Sequence, residues 1–297
     1  MKSAVSKIPK LPLLHHNHRV NFICKTMQQI EVEENEQLHI PHRHEYYSII
    51  WIEKAKGIHH IDFKSYPIDN QTIFFVSPEQ VHHREMPTKR SGGVFLFTAD
   101  FLESNGIPQS FLSGLELFFA CDEVKPIHLK QKQVGEIRLY SDHIFGEFQE
   151  EHYLKQESIA GWLKLLLISC KRFKAENTTP SPTMLSSTSK IVKDFKTALE
   201  INYASMHKVS EYASQLHLSS NYLNEVIKEE TGKSAKDFIQ DRIMLEAKRL
   251  ATHADLSLKE TAFQLGFDDP SHFSKFFSNR NGTDFTTFRN QIRNKYL

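Results

Sequence analysis

The sequence predicts an α+β protein of two domains: an N-terminal antiparallel β-barrel with a helical hairpin, and an all-α C-terminal domain that contains two helix-turn-helix motifs. Three observations support this prediction. Strand-like segments follow one another at short, regular intervals in the first third of the chain. Apolar residues then recur at helical spacing. One helical pattern occurs twice in the last third. The 297 residues are enough for two hydrophobic cores.

The strand-like segments begin near residue 40. Residues 46–52 are mostly aromatic or β-branched, which predicts a strand that is buried on both faces. Gly57 marks a turn, and the next segment alternates between apolar and polar residues. Further strands are predicted within 58–68, 72–76 and 92–97. Short strands at this spacing are typical of a small antiparallel barrel or sandwich.

The apolar spacing lengthens to that of helices from Val134 onward. The second of two predicted helices, which contains Leu163 and Leu167, has a broad apolar face. This face is predicted to contact either a second copy of the chain or only the core of its own domain. The segment that follows is rich in Ser, Thr and Pro, which predicts a linker. The predicted domains are residues 1–175 and 190–297, joined by a linker at 176–189.

The C-terminal part contains an internal repeat. The apolar positions of residues 209–218 recur at 258–267, a shift of 49 residues. After the turn the shift is 50, and residues 222–232 match 272–282. Apolar, turn and glycine positions all agree, which chance similarity of amphipathic helices does not explain. We therefore predict two copies of one motif, with a helix from residue 235 to about 252 between them.

The second copy indicates what the motif is. Gly266 can adopt the left-handed conformation that ends a helix. Asp269 is a favourable N-cap, and Pro270 then occupies the first helical position, where its missing N–H is not needed. Phe273 and Phe277 lie on one face of the second helix, and small polar and basic residues lie on the other. Two short helices of this kind are typical of a helix-turn-helix.

These positions resemble the signature of AraC/XylS-type transcription regulators. The match consists of Ala262, Leu265, Gly266, Phe267, Asp269, Ser271, Phe273, Ser274 and Phe277, followed by Gly282, Phe288 and Arg289. It covers residues 191–293 and departs from the family at Phe285, where the family usually has proline. Residues 41–47 and 73–82 are similar to the cupin-like sensor domain of this family. The resemblance implies a sequence-specific regulator that binds double-stranded DNA and a small-molecule effector.

The resemblance also implies which side chains contact DNA. The predicted base-reading residues are Asn221, Asn224 and Glu225 in the first copy and Ser271, Ser274 and Lys275 in the second, with Ser219, Ser220, Tyr222 and His272 beside them. Asn can read adenine, Glu can accept from cytosine and Lys can reach guanine. The predicted phosphate contacts are Lys228, Lys233, Arg280 and Arg289. Any one of these residues could instead belong to a solvated helix face. The first copy is expected to carry more of the specificity, and the second more of the affinity.

The predicted effector site lies in the N-terminal domain, and its residues are His42, His44, Tyr46, Trp51, Phe63 and His82. A His-x-His pair with a distant histidine is also a possible metal set. The glutamate that cupin enzymes add a few residues later is absent, because Ser48 and Ile49 occupy those positions. We therefore predict no metal and no other cofactor, and histidines that line a ligand pocket or a barrel mouth.

Composition narrows the class of protein. The three cysteines are too few and too dispersed for a disulfide framework. No N-terminal apolar run has the length of a signal peptide or a membrane anchor. The net charge of +1 means that affinity for DNA has to come from local charge placement. Together with the resemblance, this predicts a cytoplasmic, homodimeric transcription regulator that contacts RNA polymerase, not an enzyme, with activation and repression both left open. The alternatives are a cupin-type metalloenzyme with a DNA-binding tail, a ligand-independent regulator, and an adaptor whose motifs contact proteins.

Overall fold

The computed structural model describes residues 9–15, 18–33, 40–62, 64–86, 89–118, 125–177, 187–252 and 256–296. A strand-rich unit spans Pro9–Pro180, and a helical unit contains Ser181–Leu297. The predicted α+β class, with strands in the N-terminal part and helices in the C-terminal part, is confirmed. No helix in the described part of the chain is long and apolar enough to cross a membrane.

The strands of the strand-rich unit are β1 (Lys10–Leu11), β2 (Leu14–His15), β3 (His18–Arg19), β4 (Phe22–Thr26), β5 (Arg43–His44), β6 (Tyr47–Lys54), β7 (Gly57–Ile61), β8 (Lys64–Ile68), β9 (Thr72–Val76), β10 (His82–Glu85), β11 (Ser91–Phe97) and β12 (Ile127–His128). Its helices are α1 (Met27–Glu33), α2 (Ala99–Ser104), α3 (Gln109–Leu115), α4 (Gln131–Gln149) and α5 (Lys155–Asn177). The helical hairpin predicted after residue 134 is therefore α4 and α5.

Two antiparallel sheets form the core of this unit. The larger has the strand order β12–β9–β6–β11–β4, and the smaller has the order β10–β7–β8. Ile50 and Phe74 of the larger sheet share a hydrophobic cluster with Ile61 and Ile68 of the smaller sheet. The predicted closed barrel does not form among the described strands. Backbone pairing between β10 and the segment before β6 is limited to a single bridge, His42–His82, so the sheets stack as a sandwich.

The other face of the larger sheet is covered by helices. Ile49, Trp51 and Phe95 pack in one cluster with residues of α4 and α5, among them Leu163. Residues 47–52 of β6 are all buried, as the apolar run predicts, because this strand has a core on each side. The broad apolar face of α5 is used within its own unit, where Leu163, Leu166 and Leu167 have no solvent exposure.

The predicted linker is partly helical. The last turn of α5 extends to Asn177, because Glu176 accepts a hydrogen bond from the Nε2 of Gln133 at 2.8 Å and Asn177 donates to the carbonyl of His128 at 2.7 Å. The next described helix begins at Ser187. Residues 178–186 of the predicted linker lie outside the described residues.

The helical unit contains α6 (Ser187–Asn202), α7 (Val209–Gln215), α8 (Ser220–Thr231), α9 (Ala235–Ala251), α10 (Leu258–Gln264), α11 (Pro270–Asn281) and α12 (Phe285–Tyr296). Helices α7 and α8 form the first copy of the repeat, and α10 and α11 form the second. Phe285, where the family has proline, is the first residue of α12. Its ring lies 5.4 Å from that of Phe273 and 5.3 Å from that of Phe277, so a buried aromatic contact replaces proline.

Candidate nucleic-acid interface and ligand pocket

Helix α8 is positioned by a tight turn and an apolar face. His217 adopts a φ of 56° in the turn, and the amide of Leu218 donates to the carbonyl of Ala213 at 2.8 Å. Leu223 and Ile227 of α8 have no solvent exposure. The opposite face of the helix is exposed and polar, and consists of Asn221, Tyr222, Glu225, Lys228 and Glu229.

Helix α11 repeats this arrangement. The carboxylate of Asp269 accepts from the amide of Ser271 at 2.7 Å and caps the helix, with Pro270 at its first position. Phe273 and Phe277 have no solvent exposure. The exposed face contains Ser271, His272, Lys275 and Asn279, at positions that match the exposed positions of α8. The two helices therefore present equivalent polar surfaces.

Two of the predicted DNA-contacting residues, Ser219 and Asn224, form hydrogen bonds at helix starts. Ser219 is the N-cap of α8, and its hydroxyl accepts from the amide of Tyr222 at 3.2 Å. The side-chain oxygen of Asn224 accepts from the amide of Ala235 at 3.1 Å, which fixes the side chain against the start of α9. Ser220 and Ser274 are only half-exposed.

Three of the four predicted phosphate contacts are engaged within the helical unit. The guanidinium of Arg280 forms an ion pair with Asp241 and donates to Gln240 at 2.5 Å, which ties α11 to α9. Arg289 donates to the carbonyl of Leu256 at 2.8 Å. The ammonium of Lys233 lies 3.3 Å from a carboxylate oxygen of Asp241. Lys228 is exposed at the end of the polar face of α8.

A pocket of about 200 Å³ lies in the strand-rich unit. It contains four of the six predicted ligand residues: His42, His44, Tyr46 and His82. Most of the remaining wall is apolar and consists of Pro12, Leu13, Leu14, Ile23, Ile30, Ile50, Val94 and Leu96. Of the described residues that line it, none is Asp or Glu, and Lys25 and Arg84 supply positive charge.

Trp51 was predicted on the wrong face of β6. Side chains alternate along a strand, so Ser48 and Ile50 face the pocket, whereas Ile49 and Trp51 face helices α4 and α5. Alternation alone groups Ser48 with His44 and Tyr46, and the side of the sheet that the helices cover then decides that this group, and not that of Trp51, faces the pocket. Phe63 lies outside the described residues.

The pocket residues that the sequence did not identify are Lys25, Ser48, Arg84 and the apolar wall. Arg84 follows His82 by two residues in β10, so the two side chains lie on the same face. This spacing is visible in the sequence, but it becomes informative only after β10 is known to contribute to the wall.

The pocket histidines are buried and hydrogen-bonded. His44 has 1% exposure. Its Nδ1 lies 2.7 Å from the carbonyl of Tyr46, to which it donates, and its Nε2 lies 3.3 Å from the hydroxyl of Ser48. The rings of His44 and Tyr46 stack at 4.1 Å. His82 has its Nδ1 3.1 Å from the Nε2 of His59, a buried histidine that sequence reasoning missed.

Burial keeps these imidazoles neutral. The pKa of His44 is lowered to about 3, first by burial and then by the nearby His42 and Arg84, while the hydrogen bond to Tyr46 acts in the opposite direction. Burial also lowers the pKa of His42 to about 4, although its hydrogen bond to the carbonyl of Ile40 acts in the opposite direction. Desolvation holds the pKa of His82 well below 6.5. The pocket therefore offers uncharged imidazole donors and acceptors together with an arginine.

Two family models match the chain. The AraC-like ligand binding domain matches residues 29–163, and the helix-turn-helix domain matches residues 212–291; together they span more than two thirds of the chain. The chain belongs to the AraC family of DNA-binding transcription regulators. The first matched segment contains His42, His44, Tyr46 and His82 of the pocket, and the second contains α8 and α11.

The chain is also similar to several known proteins. The chain is similar to the uncharacterized HTH-type transcriptional regulator YfiF of Bacillus subtilis, with 26% identity over 86% of this chain and 80% of the relative. It is 24% identical to the HTH-type transcriptional activator RhaS of Shigella flexneri, over 88% of this chain and 91% of the relative. Among solved structures, unsaturated fatty acid bound ToxT of Vibrio cholerae aligns at 15% identity over 92% of this chain and 97% of that chain, with a TM-score of 0.39.

Proposed function

We propose that this AraC-family member recognises its DNA sites through α8 and α11 and that a small molecule in the pocket of the strand-rich unit controls this recognition. The observation that carries the proposal is the pair of equivalent exposed faces on α8 and α11, each opposite a fully buried apolar face. Helices of this kind read the major groove when they follow a tight turn. Residues 1–175 are the proposed sensor domain, and residues 190–297 the proposed DNA-binding domain.

Helix α9 gives the two recognition helices a rigid connection. It contains 17 residues and is therefore about 25 Å long. Neighbouring major-groove segments on one side of B-DNA are about 34 Å apart. A helix of this length, together with the widths of the two motifs, suits recognition of two successive groove segments by one chain. Protection of a single short segment per chain in a footprinting experiment would contradict this arrangement.

The exposed faces suggest a division of roles. Asn221 and Glu225 of α8, and Ser271 and Lys275 of α11, are the proposed base-reading residues, and Tyr222, His272 and Asn279 lie beside them. Lys228 is the proposed phosphate contact, because a lysine at the end of the helix can reach the backbone without entering the groove. Asn224, Arg280 and Arg289 are proposed to position these helices, since their side chains are engaged within the unit.

Matched lysine variants test this division. Lys275→Ala is expected to change the preference at one base position at a cost of about 1–3 kcal/mol. Lys228→Ala is expected to weaken binding to all DNA sequences alike and to reduce the slope of log binding constant against log salt concentration by about 1. Lys236→Ala, at an exposed position of α9, serves as the control and is expected to change neither. Affinities for a randomised site library at several salt concentrations provide the measurement. If Lys275→Ala and Lys228→Ala have the same effect, the assignment is wrong.

The chemistry of the pocket suggests the class of effector. Its wall is largely aliphatic, and its polar groups are neutral imidazoles, the Ser48 hydroxyl and the cations of Lys25 and Arg84. These groups suit a small molecule with an apolar body and an anionic or hydrogen-bond-accepting end. The volume of about 200 Å³ limits the body to a small molecule.

A screen for ligands that stabilise the full chain tests the sensor role. Trp51 and Trp162 are the two tryptophans of the chain, and both belong to the strand-rich unit, so their fluorescence reports its unfolding. A ligand at 100 times its Kd raises the unfolding free energy by about 2.7 kcal/mol. Leu96→Phe, which narrows the pocket, should abolish the stabilisation, and Leu139→Phe, at an exposed position of α4, should not. A bound ligand that leaves DNA affinity and site choice unchanged would favour the ligand-independent alternative.

The assembly and output of the regulator are also proposals. We propose a homodimer that contacts RNA polymerase and activates transcription in the cytoplasm, where its DNA target lies. The similarity to RhaS, described as a transcriptional activator, supports activation. The similarity to transcription regulators over most of the chain supports a role without catalysis. Sedimentation of the full chain, with and without DNA, tests the dimer.

A further inference from the structure

Three side chains with metal-ligating atoms converge on the outer face of the three-stranded sheet. His60 of β7 and His83 of β10 are directly paired across the two strands, so their side chains lie on the same face. Glu85 follows His83 by two residues and therefore also lies on this face. His82 and Arg84, which alternate with them, line the ligand pocket on the opposite side. The outer cluster is thus separate from the pocket histidines.

The donor atoms are close enough for one ion to bind all three. The Nε2 of His60 lies 3.5 Å from the Oε1 of Glu85, and the Nε2 of His83 lies 3.8 Å from the same oxygen. All three atoms lie within 4.8 Å of one another. Zinc–nitrogen and zinc–oxygen bonds of about 2.1 Å in a tetrahedron require donor separations of about 3.4 Å. The two nitrogen–oxygen distances are within a few tenths of an ångström of this value, and rotation of the imidazoles sets the separation of the two nitrogens.

A neighbouring hydroxyl orients one of the imidazoles. The Nδ1 of His60 lies 2.8 Å from the Oγ of Ser65 on β8. In the tautomer that carries the proton on Nδ1, His60 donates to this oxygen, and the lone pair of Nε2 points toward Glu85 and His83. Metal-bound histidines usually make such a bond through their other nitrogen, which fixes the ring and its tautomer. The rings of His60 and His83 stack at 4.3 Å with an interplanar angle of 11°, so at least one ring has to rotate before both lone pairs reach a shared ion.

We propose that His60, His83 and Glu85 form a binding site for a divalent transition-metal ion, with Zn²⁺ as the best match. Two imidazoles and one carboxylate are a donor set that Zn²⁺ accepts. The side chains of His60, His83 and Glu85 are 26%, 13% and 62% exposed. The ion is therefore accessible from solvent, which leaves its fourth position to water or to an external ligand. Bound metal would cross-link β7 to β10, the strand that supplies His82 and Arg84 to the pocket wall.

Zinc titration of the untagged full chain, freed of metal by a chelator, tests the site. We expect one equivalent of Zn²⁺ to bind and to raise the unfolding midpoint of the strand-rich unit, followed by tryptophan fluorescence. His60→Ala and His83→Ala should each remove this binding, and Glu85→Gln should weaken it. Ser65→Ala should lower the affinity by about tenfold, as expected for a group that only positions a ligand. Because these residues lie on an outer sheet face, circular dichroism should show that the variants fold.

A matched histidine–glutamate pair serves as the control. The Nδ1 of His152 lies 3.4 Å from an oxygen of Glu147, and this pair is not part of a three-donor group among the described residues. His152→Ala should leave zinc binding unchanged. The proposal is overturned if the full chain binds no stoichiometric zinc. It is also overturned if His60→Ala and His83→Ala retain the bound equivalent, which would place the ion at the buried imidazoles of His42 and His44 or at the histidine-rich run of residues 15–18.

Discussion

Gly266, in the turn of the second helix-turn-helix, is expected to be the least replaceable glycine of the helical unit. Its φ is 76°, and a Cβ added there would lie 1.9 Å from the carbonyl oxygen of Ala204. This oxygen belongs to the backbone, so no side-chain rotation relieves the overlap. Gly232 and Gly282 have the same φ, 76°, but no atom lies within 4 Å of a Cβ added to either. Alanine substitutions at the three glycines therefore separate the free-energy cost of the left-handed backbone conformation from the cost of the overlap with Ala204.

The magnitudes differ because only Gly266 carries both costs. A Cβ in the left-handed conformation costs about 1–2 kcal/mol at each position. His217 occupies the matching turn position of the first copy at a φ of 56°, so the turn itself accepts a side chain. At Gly266 the overlap also displaces the turn from Ala204. This displacement is expected to break the hydrogen bond of 2.8 Å from His207 to the carbonyl of Leu265 and the ring contact of 4.9 Å between His207 and Phe267.

Each of those contacts is worth about 1 kcal/mol. Gly266→Ala should therefore lower the unfolding free energy of the helical unit by about 4 kcal/mol, whereas Gly282→Ala should lower it by about 1.5 kcal/mol. The assay is urea unfolding of the full chain. Far-UV circular dichroism reports both units, and tryptophan fluorescence reports the strand-rich unit alone.

Only the unfolding transition of the helical unit, which tryptophan fluorescence does not report, is expected to shift to lower urea concentration. Gly232→Ala provides a second control at the same φ, 76°, and should behave like Gly282→Ala. Equal destabilisation by Gly266→Ala and Gly282→Ala would refute the reasoning, because it would mean that the approach of Ala204 has no energetic consequence.

Three other predictions use the same unfolding assay. Arg242→Met removes the buried guanidinium that lies 2.8 and 2.9 Å from the carboxylates of Glu200 and Glu246 and should cost about 3–5 kcal/mol; a loss below 1 kcal/mol would contradict this. Phe285→Pro should cost about 3 kcal/mol or more despite the family preference, because a fully buried ring is lost; an unchanged midpoint would disprove it. The pKa of His44 is lowered from 6.5 to about 3 in the folded chain, so the unfolded chain binds this proton more readily. As the pH falls below 6.5, the unfolding free energy of the strand-rich unit should therefore decrease by up to about 1.4 kcal/mol per pH unit. His44→Gln should flatten this pH dependence, and an equally steep dependence would exclude His44 as its source.

Local patterns were sufficient for the helix-turn-helix motifs. The repeated apolar spacing predicted the two helix pairs, and Gly266, Asp269 and Pro270 predicted where the second pair turns. The structure confirms these elements, because caps and buried faces depend on neighbours within a few residues. The roles of side chains on those helices were less predictable. Arg280 is basic and lies near the end of α11, but its ion pair with Asp241 joins residues that are 39 positions apart in sequence.

In the strand-rich unit, too, local features could be predicted from the sequence, whereas features that depend on distant residues could not. Composition predicted the central strand at residues 46–52, since a strand with a core on each side needs apolar residues throughout. Whether the strands close into a barrel or form a sandwich depends on pairing between strand edges that are distant in sequence, so only the tertiary structure shows that they form a sandwich. The face on which Trp51 lies also depends on which side of the sheet the helices cover.

The sequence by itself determined the α+β class, the tandem motif and the concentration of histidines in the N-terminal unit, because these are properties of local spacing and residue type. Only the tertiary structure separated the histidines into an inner and an outer group. Adjacent residues of a strand point to opposite faces, so His82 lies in the pocket while His83 lies outside, beside His60 and Glu85. Once the strands pair, that alternation sets residues from β7 and β10 side by side and defines the proposed metal site.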